Sequence, residues 1–212
     1  MALLAGHIRF ALDVKDKYGV TELHKYISGA VYPDSRYVTG TERSLTHPDN
    51  IDLTFFSKDD FRKGWLTHVI CDELQLQIIT KMFPEEILEH GYGGQGSDFW
   101  INLTAIKIIQ DLDDLTKFEI KKYIDYLDYV ESPGPNGEDV TVITKYNEIF
   151  TNMYHEPERV DVNSAIDMWI ALGLSKDLAE KVRWKTEQYA KNPSIVQRAH
   201  GVYDQIILKF NN

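Results

Sequence analysis

The chain has 212 residues, of which 43% are apolar and 26% charged, so it is long enough to bury a core and too apolar to be disordered. Its 33 acidic and 23 basic side chains give a formal net charge of -10, which argues against a phosphate backbone as the main partner, so no nucleic acid is expected. The single cysteine, Cys71, excludes an intrachain disulfide framework and a thiolate zinc cluster, because each needs more than one sulfur.

The sequence also predicts the cellular location of the chain and its number of domains. No window approaches the roughly 18 to 20 apolar residues that a membrane span needs, so no transmembrane segment is expected. The first residues, MALLAGHIRF, lack the basic region, long apolar stretch and cleavage site of a secretion signal, which indicates a cytoplasmic setting. Because the length is less than about twice the common domain size, we expect one domain over residues 1–212.

Apolar residues recur at intervals of three and four along most of the chain, which predicts an all-α, single-domain multi-helix bundle. Thr21 is a candidate N-cap, and Gly19 and Gly29 are candidate helix ends. The predicted elements, in chain order, are a first helix up to Gly19, a second from Thr21 to Gly29, an irregular segment from Ala30 to Lys58, a long helix from Ser57 or Asp59 to Pro84, and further helices over Pro84–His90, Asn102–Tyr129, Val140–Tyr154, Asn163–Leu172, Lys176–Lys191 and Pro193–Phe210.

The segment from Ala30 to Lys58 breaks the helical period. It contains two prolines, a glycine and many hydroxyl-bearing and Asx residues, which are typical of loops. An irregular segment of this length inside a compact domain is more often functional than idle. The sequence therefore predicts functional residues in this segment.

His68 and Asp72 lie four residues apart on the predicted long helix. At this spacing both side chains leave one face of the helix, a single turn apart. An imidazole and a carboxylate so placed can chelate a divalent ion, whose charge would offset the cost of burying Asp72. Such a pair also arises by chance on many helices, but Trp65 and Cys71 flank this one, so it lies in a core-like segment where a buried aspartate needs a cation.

Three further candidate ligands precede this pair. Asp34 follows a Tyr-Pro step at the start of the irregular segment, His47 stands before a Pro-Asp step near its end, and His7 lies in the first turn of the N-terminal helix. Each alone has an ordinary explanation as a turn aspartate, a loop histidine or a solvated terminal histidine. If all converge with the helical pair, the site holds enough imidazoles and carboxylates for one or two zinc or iron ions with an open position for water.

The order of these residues resembles the bacterial zinc-dependent phospholipase C family, which is all-helical and shares its architecture with the zinc nucleases of the P1 type. The resemblance covers about residues 7–72, through His7, the Tyr-Pro-Asp and Thr-His steps, and the run Gly-Trp-Leu-Thr-His-Val-Ile-Cys-Asp that ends at Asp72. It implies one zinc with four ligands and a bridge from Asp72 to a second zinc that takes His7. The four ligands implied are Asp34, His47, His68 and Asp72.

The chain departs from that family in ways that bear on the number of metals. Family members use an N-terminal tryptophan as a ligand in their mature form, whereas Met-Ala-Leu-Leu-Ala-Gly precedes His7 here. The family's third zinc takes a later histidine and a His-x-x-x-Glu helix, and His90, His155 and His200 offer no such pair. The expectation is therefore one zinc ion, with a second zinc, or another divalent metal such as iron, left open.

These residues predict a metal-dependent phosphoester hydrolase of the phospholipase C type. A zinc-bound water, with its pKa lowered toward about 7, would attack a phosphomonoester or phosphodiester. Asp34 is the candidate catalytic residue, both as a ligand and as a base toward that water. Arg36 and Arg43 are candidate phosphate-binding residues, each also explained as a solvated surface residue. The expected substrate is a small phosphoester or a phospholipid head group, and the aromatic residues Tyr32, Tyr37, Phe55 and Phe56 either line its binding site or pack the segment itself.

A non-catalytic helical protein with a structural metal is the alternative interpretation. Asp34, His47, His68 and Asp72 already make four ligands, and a closed four-ligand zinc stabilises a fold without leaving a position for substrate. The HD phosphohydrolases are a further helical family that uses histidine and aspartate on a divalent metal. Their defining step is an adjacent His-Asp dipeptide, which this sequence lacks.

Overall fold

A computed structural model describes residues 4–88 and 91–212, without the side chain of Leu88. In these ranges every regular element is a helix and no strand occurs, so the all-α prediction is confirmed. None of the described helices combines the length and apolar character that crossing a membrane requires. The α-helices, in chain order, are α1 (Leu4–Val14), α2 (Leu23–Val31), α3 (Arg36–Thr39), α4 (Arg43–Thr46), α5 (Leu53–Phe56), α6 (Asp60–Met82), α7 (Pro84–Leu88), α8 (Asp98–Asp114), α9 (Val140–Tyr154), α10 (Val162–Ala171), α11 (Lys176–Ala190), α12 (Pro193–His200) and α13 (Val202–Asn211).

The helices belong to two compact units, each assembled from separate stretches of the chain. The histidine unit comprises His7–Cys71 and Glu119–Arg159. The flanking unit comprises Met1–Gly6, Asp72–Phe118 and Val160–Asn212. Helix α6 contributes its first half to the histidine unit and its second half to the flanking unit. The organisation of the whole chain as one domain stays a prediction.

The longest helix of the flanking unit after α6 is shifted from its predicted position. Helix α8 begins at Asp98 and ends at Asp114. The hydroxyl oxygen of Ser97, its N-cap, accepts a hydrogen bond from the backbone N–H of Trp100. The prediction of one helix over Asn102–Tyr129 is therefore wrong, because the chain continues through 3-10 segments at Ile120–Lys122 and Ile124–Asp128. The last turn of α8 carries Asp111, Asp113 and Asp114, of which Asp113 is paired with Lys117 and His200.

Two other predicted segments also differ from the structure. The stretch from Ala30 to Lys58 is not irregular throughout, since it contains a 3-10 turn at Tyr32–Ser35 and the short helices α3, α4 and α5. The single helix predicted over Pro193–Phe210 is interrupted at Gly201, where α12 ends and α13 begins. Of the helix predicted over Pro84–His90, the part from residue 89 onward lies outside the described residues.

Two glycines let α2 and α6 touch along their backbones. A Cβ on Gly29 would lie 1.9 Å from a backbone oxygen of α6, and a Cβ on Gly64 would lie 1.9 Å from a backbone oxygen of α2. Any larger residue at either position would therefore push the helices apart. This close crossing brings Nδ1 of His68 on α6 to 2.8 Å from the carbonyl oxygen of Ala30 on α2.

Asp60, the first residue of α6, anchors the start of α2. Its Oδ2 accepts hydrogen bonds from the backbone N–H groups of Thr21 at 2.8 Å and Glu22 at 2.6 Å, and from the Thr21 hydroxyl at 2.9 Å. Burial alone would raise the pKa of Asp60, but hydrogen bonds from Lys63 and from these groups outweigh it and hold the pKa below its usual range. The prediction that Thr21 is the N-cap of α2 is wrong, because Glu22 occupies that position and the carboxylate of Asp60 satisfies the N–H groups.

Aromatic side chains pack the core of the histidine unit around Trp65. The ring centres of Tyr32, Phe56 and Phe55 lie 5.0, 5.5 and 5.7 Å from that of Trp65, all close to edge-on. The indole N–H of Trp65 donates to the backbone oxygen of Thr46 at 2.6 Å. Tyr32, Phe55 and Phe56 therefore pack against Trp65. The hydrogen bond from Trp65 to Thr46 fixes the backbone directly before His47.

Candidate metal centre

Four of the five predicted ligands lie in the histidine unit. His7 comes from α1, Asp34 from the 3-10 turn after α2, His47 directly follows α4, and His68 comes from α6. Their exposed fractions are 1, 5, 7 and 1%, respectively. Burying so much polar surface is unfavourable unless the groups satisfy one another or a bound ion.

Asp34, His47 and His68 present their donor atoms to one another. The Nε2 atoms of the two histidines lie 3.2 Å apart, and oxygens of Asp34 lie 3.8 Å from Nε2 of His47 and 3.9 Å from Nε2 of His68. Zinc binds such atoms at about 2.0–2.2 Å in tetrahedral geometry, which puts any two ligand atoms about 3.4 Å apart. The two imidazole nitrogens match this separation, whereas the contacts of Asp34 are longer and use different oxygens, Oδ1 toward His47 and Oδ2 toward His68. The three side chains therefore approach the spacing of a tetrahedral zinc site without reaching it.

Hydrogen bonds on the far side of each ring determine which nitrogen carries a proton. Nδ1 of His68 lies 2.8 Å from the carbonyl oxygen of Ala30, which can only accept, so this nitrogen donates. Nδ1 of His47 lies 2.9 Å from the hydroxyl of Thr46, which itself donates to the backbone oxygen of Arg43. Each neutral ring therefore points an Nε2 lone pair toward the other, and lone pairs at this distance repel unless a cation lies between them.

His7 extends the cluster from another direction. Its ring is stacked on that of His68, with centres 3.9 Å apart and planes at 14°, whereas His47 meets His68 edge-on at 5.1 Å and 73°. One donor atom from each of His7, Asp34 and His68 lies within 4.8 Å of the others. His68 and Asp34 belong to both sets of donors, and the single Nε2 lone pair of His68 can bind only one ion. His47 is not part of that group, so His7 and His47 are alternative third donors beside Asp34 and His68.

Asp72, the fifth predicted ligand, has a cation of its own within the flanking unit. The ammonium of Lys107 on α8 lies 3.0 Å from Oδ1 of Asp72. The lysine side chain is 3% exposed and that of the aspartate 13%, so both charges are largely removed from water and each needs the other. Lys107 thus supplies the positive charge that the burial of Asp72 was expected to require. The role of Asp72 as a metal ligand stays a prediction.

The two predicted phosphate-binding arginines differ in their surroundings. The guanidinium of Arg36 lies 4.0 Å from the ring centre of Tyr37 and donates to its hydroxyl, while the Nε–H of Arg36 is buried and has no acceptor among the described residues. Burial raises the pKa of Tyr146 well above its usual value, the negative charge of Asp34 adds to this, and the positive charge of Arg36 opposes it. Arg36 and Asp34 therefore act on the same hydroxyl group. Arg43 is exposed.

Comparisons with protein-family models, with curated proteins and with solved structures find no match for this chain. The resemblance to the zinc-dependent phospholipases C therefore rests on the residues between 7 and 72.

Sequence reasoning missed the groups that orient and neutralise the predicted ligands. The carbonyl of Ala30 carries no signal in the sequence, because every residue has one. Thr46 carried a weak signal as a hydroxyl-bearing residue directly before a candidate ligand. Lys107 carried a stronger one, since a lysine inside the apolar run Ala-Ile-Lys-Ile-Ile must find a buried partner.

Proposed function

We propose that this chain is a metal-dependent phosphoester hydrolase whose zinc ion is held by Asp34 and His68, with His47 or His7 as the third protein donor. The observation that carries the proposal is the pair of imidazole Nε2 atoms 3.2 Å apart beside a buried carboxylate. A proton between the two nitrogens would use only part of this donor set, whereas a metal ion uses all of it. The fold is all-helical, as is the family that the resemblance implies.

The chemistry divides between the metal and the side chains around it. When bound, zinc supplies a Lewis acid that lowers the pKa of water toward about 7 and neutralises charge on a phosphoryl oxygen. Ala30 and Thr46 hold the two imidazoles in the tautomer that turns Nε2 toward the ion. Asp34, with one oxygen near each Nε2 atom, would hold the ion through one oxygen and could accept a proton through the other.

Arg36 is the proposed phosphate-binding residue. Its buried Nε–H lacks an acceptor among the described residues, and a phosphate oxygen is the acceptor that a guanidinium prefers. The net charge of -10 disfavours long nucleic acids as substrates. The proposed substrates are therefore small phosphoesters or a phospholipid head group.

Hydrolysis of bis(p-nitrophenyl) phosphate by zinc-loaded protein tests the proposal. His68→Ala and Asp34→Asn are expected to abolish turnover, and Arg36→Met is expected to raise KM. His155→Ala and Asp49→Asn are matched controls, because both residues are exposed and lie outside the cluster, and both variants should keep wild-type activity. Turnover that survives His68→Ala and Asp34→Asn rejects the proposal.

A structural zinc site is the second candidate, and the near-complete burial of all four donors favours it. A closed site would stabilise the fold when zinc binds but would leave no coordination position for substrate. Zinc binding that raises the unfolding temperature without any turnover of phosphomonoesters or phosphodiesters supports this second candidate. Zinc-dependent turnover supports the hydrolase.

A further inference from the structure

The carboxylate of Glu138 contacts two separate parts of the segment that carries the candidate ligands Asp34 and His47. Its Oε1 accepts a hydrogen bond from the hydroxyl of Tyr32 at 2.5 Å and another from the hydroxyl of Thr41 at 3.0 Å. Tyr32 begins the 3-10 turn that contains Asp34, and Thr41 lies two residues before α4, which leads to His47. One side chain therefore joins the turn of Asp34 to the helix that precedes His47.

The loop that carries Glu138 is folded around this carboxylate. The backbone N–H of Asn136 donates to Oε2 of Glu138 at 2.8 Å, and Nδ2 of Asn136 donates to the hydroxyl of Tyr32 at 2.7 Å. A Cβ on Gly134 would lie 2.7 Å from Oε2 and 2.9 Å from the backbone oxygen of Glu138, so the loop has no room for a side chain there. The loop therefore fixes the position of the carboxylate that Tyr32 and Thr41 contact.

These hydrogen bonds also keep Glu138 charged. Burial raises the pKa of Glu138, but hydrogen bonds from Tyr32 and Asn136 outweigh it and lower the pKa below its usual value. A charged acceptor makes a stronger hydrogen bond than a neutral one. Because Tyr32 is 2% exposed, losing Glu138 would leave a largely buried hydroxyl without the acceptor that it uses.

Helix α9, which follows this loop, supports the same part of the chain. The hydroxyl of Tyr146 on α9 donates to the backbone oxygen of Val31 at 3.3 Å, and Ile143 belongs to the buried apolar cluster that contains Tyr32 and Trp65. The ring of Tyr32 is therefore held by packing, independently of its hydroxyl. Removing the hydroxyl alone would test the contact with Glu138.

We propose that Glu138 is a positioning residue of the metal centre, which acts through Tyr32 and Thr41 to set the separation between Asp34 and His47. Groups that orient metal ligands in this way typically change metal affinity about 10- to 100-fold when they are removed. The inference rests on the metal centre of the proposed function but not on turnover, because it concerns the affinity for zinc. A structural zinc site would need the same positioning.

Titration of the full chain against a chromogenic zinc chelator tests the proposal. Tyr32→Phe removes one hydroxyl and keeps the ring, and we expect it to weaken zinc binding about tenfold. Glu138→Ala should weaken zinc binding at least as much, and the double variant should bind zinc no more weakly than Glu138→Ala, because both changes remove the same contact. Glu138→Gln keeps an oxygen that accepts from Tyr32 and should recover most of the affinity. If Glu138→Ala does not fold, Tyr32→Phe decides the test.

Tyr129→Phe is the matched control. The hydroxyl of Tyr129 donates to Oε2 of Glu131 at 2.7 Å, so this variant also breaks a hydrogen bond between a tyrosine and a glutamate of the histidine unit. Neither residue lies in the segment from Tyr32 to His47, and zinc affinity should stay that of the wild type. Urea unfolding of each variant in chelator separates weaker zinc binding from a loss of folded protein.

Two results would overturn this proposal alone. One is a wild-type chain that binds zinc while Tyr32→Phe and Glu138→Ala bind it equally well. The other is a loss of affinity that Tyr129→Phe shares, because any lost hydrogen bond would then have the same effect. A wild-type chain that takes up no zinc would reject the metal centre and this inference with it. Normal zinc binding without phosphodiester turnover would reject only the hydrolase.

Discussion

Asp34 and Asp72 are both carboxylates removed from water, and the sequence predicts both as metal ligands, but the groups around them differ in kind. Asp34 faces the Nε2 atoms of His47 and His68 at 3.8 and 3.9 Å, so its neighbours offer lone pairs. Asp72 faces the ammonium of Lys107 at 3.0 Å, so its neighbour offers a charge. A buried carboxylate therefore indicates a metal site only when the surrounding groups are themselves donors of electron pairs.

The largest expected effect comes from removing the counterion of Asp72. Lys107→Met leaves that carboxylate without its lysine, and we expect a loss of about 3 kcal/mol in the free energy of unfolding, measured by urea denaturation. The double variant Lys107→Met/Asp72→Leu removes both charges and should recover most of the loss. If the double variant is as unstable as the single one, the ion pair is not what stabilises this region.

The two carboxylates should also differ in their effect on zinc. Asp34→Asn is expected to weaken zinc binding at least about a hundredfold, or about 2.7 kcal/mol, because it removes a charged donor from the ion. Asp72→Asn should leave zinc affinity close to that of the wild type. Titration against a chromogenic zinc chelator measures both constants, and the opposite ranking would make Asp72 the ligand instead of Asp34.

The helix crossing that orients His68 can be disturbed without touching a ligand. Gly64→Ala places a methyl group where a backbone oxygen of α2 lies 1.9 Å away, so α2 and α6 must separate. We expect a loss of about 2 kcal/mol in the free energy of unfolding and weaker zinc binding, since the hydrogen bond from His68 to Ala30 is stretched.

The control for this variant needs a glycine whose backbone an alanine can adopt. Gly40→Ala is unsuitable, because Gly40 has a φ of 73° and any substitution there is strained by itself. Gly94→Ala, where a Cβ meets open space, is the better comparison and should change neither property.

The smallest effect expected is at Asp60, and it depends on pH. The folded pKa of Asp60 lies below its unfolded value of about 3.9, so the carboxylate stabilises the fold above that pH and loses the effect as the pH falls through the folded pKa. Asp60→Asn should therefore cost about 1.5 kcal/mol at neutral pH, and its difference from the wild type should shrink on acidification below about pH 4. Urea unfolding at a series of pH values measures this. A difference that grows as the pH falls would contradict the assignment.

The sequence predicts the fold class and most of the candidate site because both depend on local patterns. Apolar spacing predicts helices, and His7, Asp34, His47 and His68 stand out by residue type against their surroundings. Helix ends were predicted less well where a distant group decides them, as at Thr21, whose hydroxyl binds Asp60 instead of capping α2.

The partners of the buried charges could not be predicted, because they come from elements far apart in sequence. The sequence presents Asp72 and Asp34 alike, as carboxylates that could bind a metal. Only the structure shows that Asp72 lies 3.0 Å from the ammonium of Lys107, which is 35 residues away in the chain. The helix contact through Gly29 and Gly64 is of the same kind, since neither glycine reveals from its neighbours which backbone approaches it.

Zinc content, measured by metal analysis on protein purified without chelator, tests the central claim most directly. If the donors around Asp34 and His68 hold one ion, the wild-type chain should carry about one equivalent of zinc, and His68→Ala should carry almost none while His155→Ala keeps it. A wild-type chain without bound zinc that also fails to take it up on titration would contradict the claim. The two facing imidazoles would then share a proton.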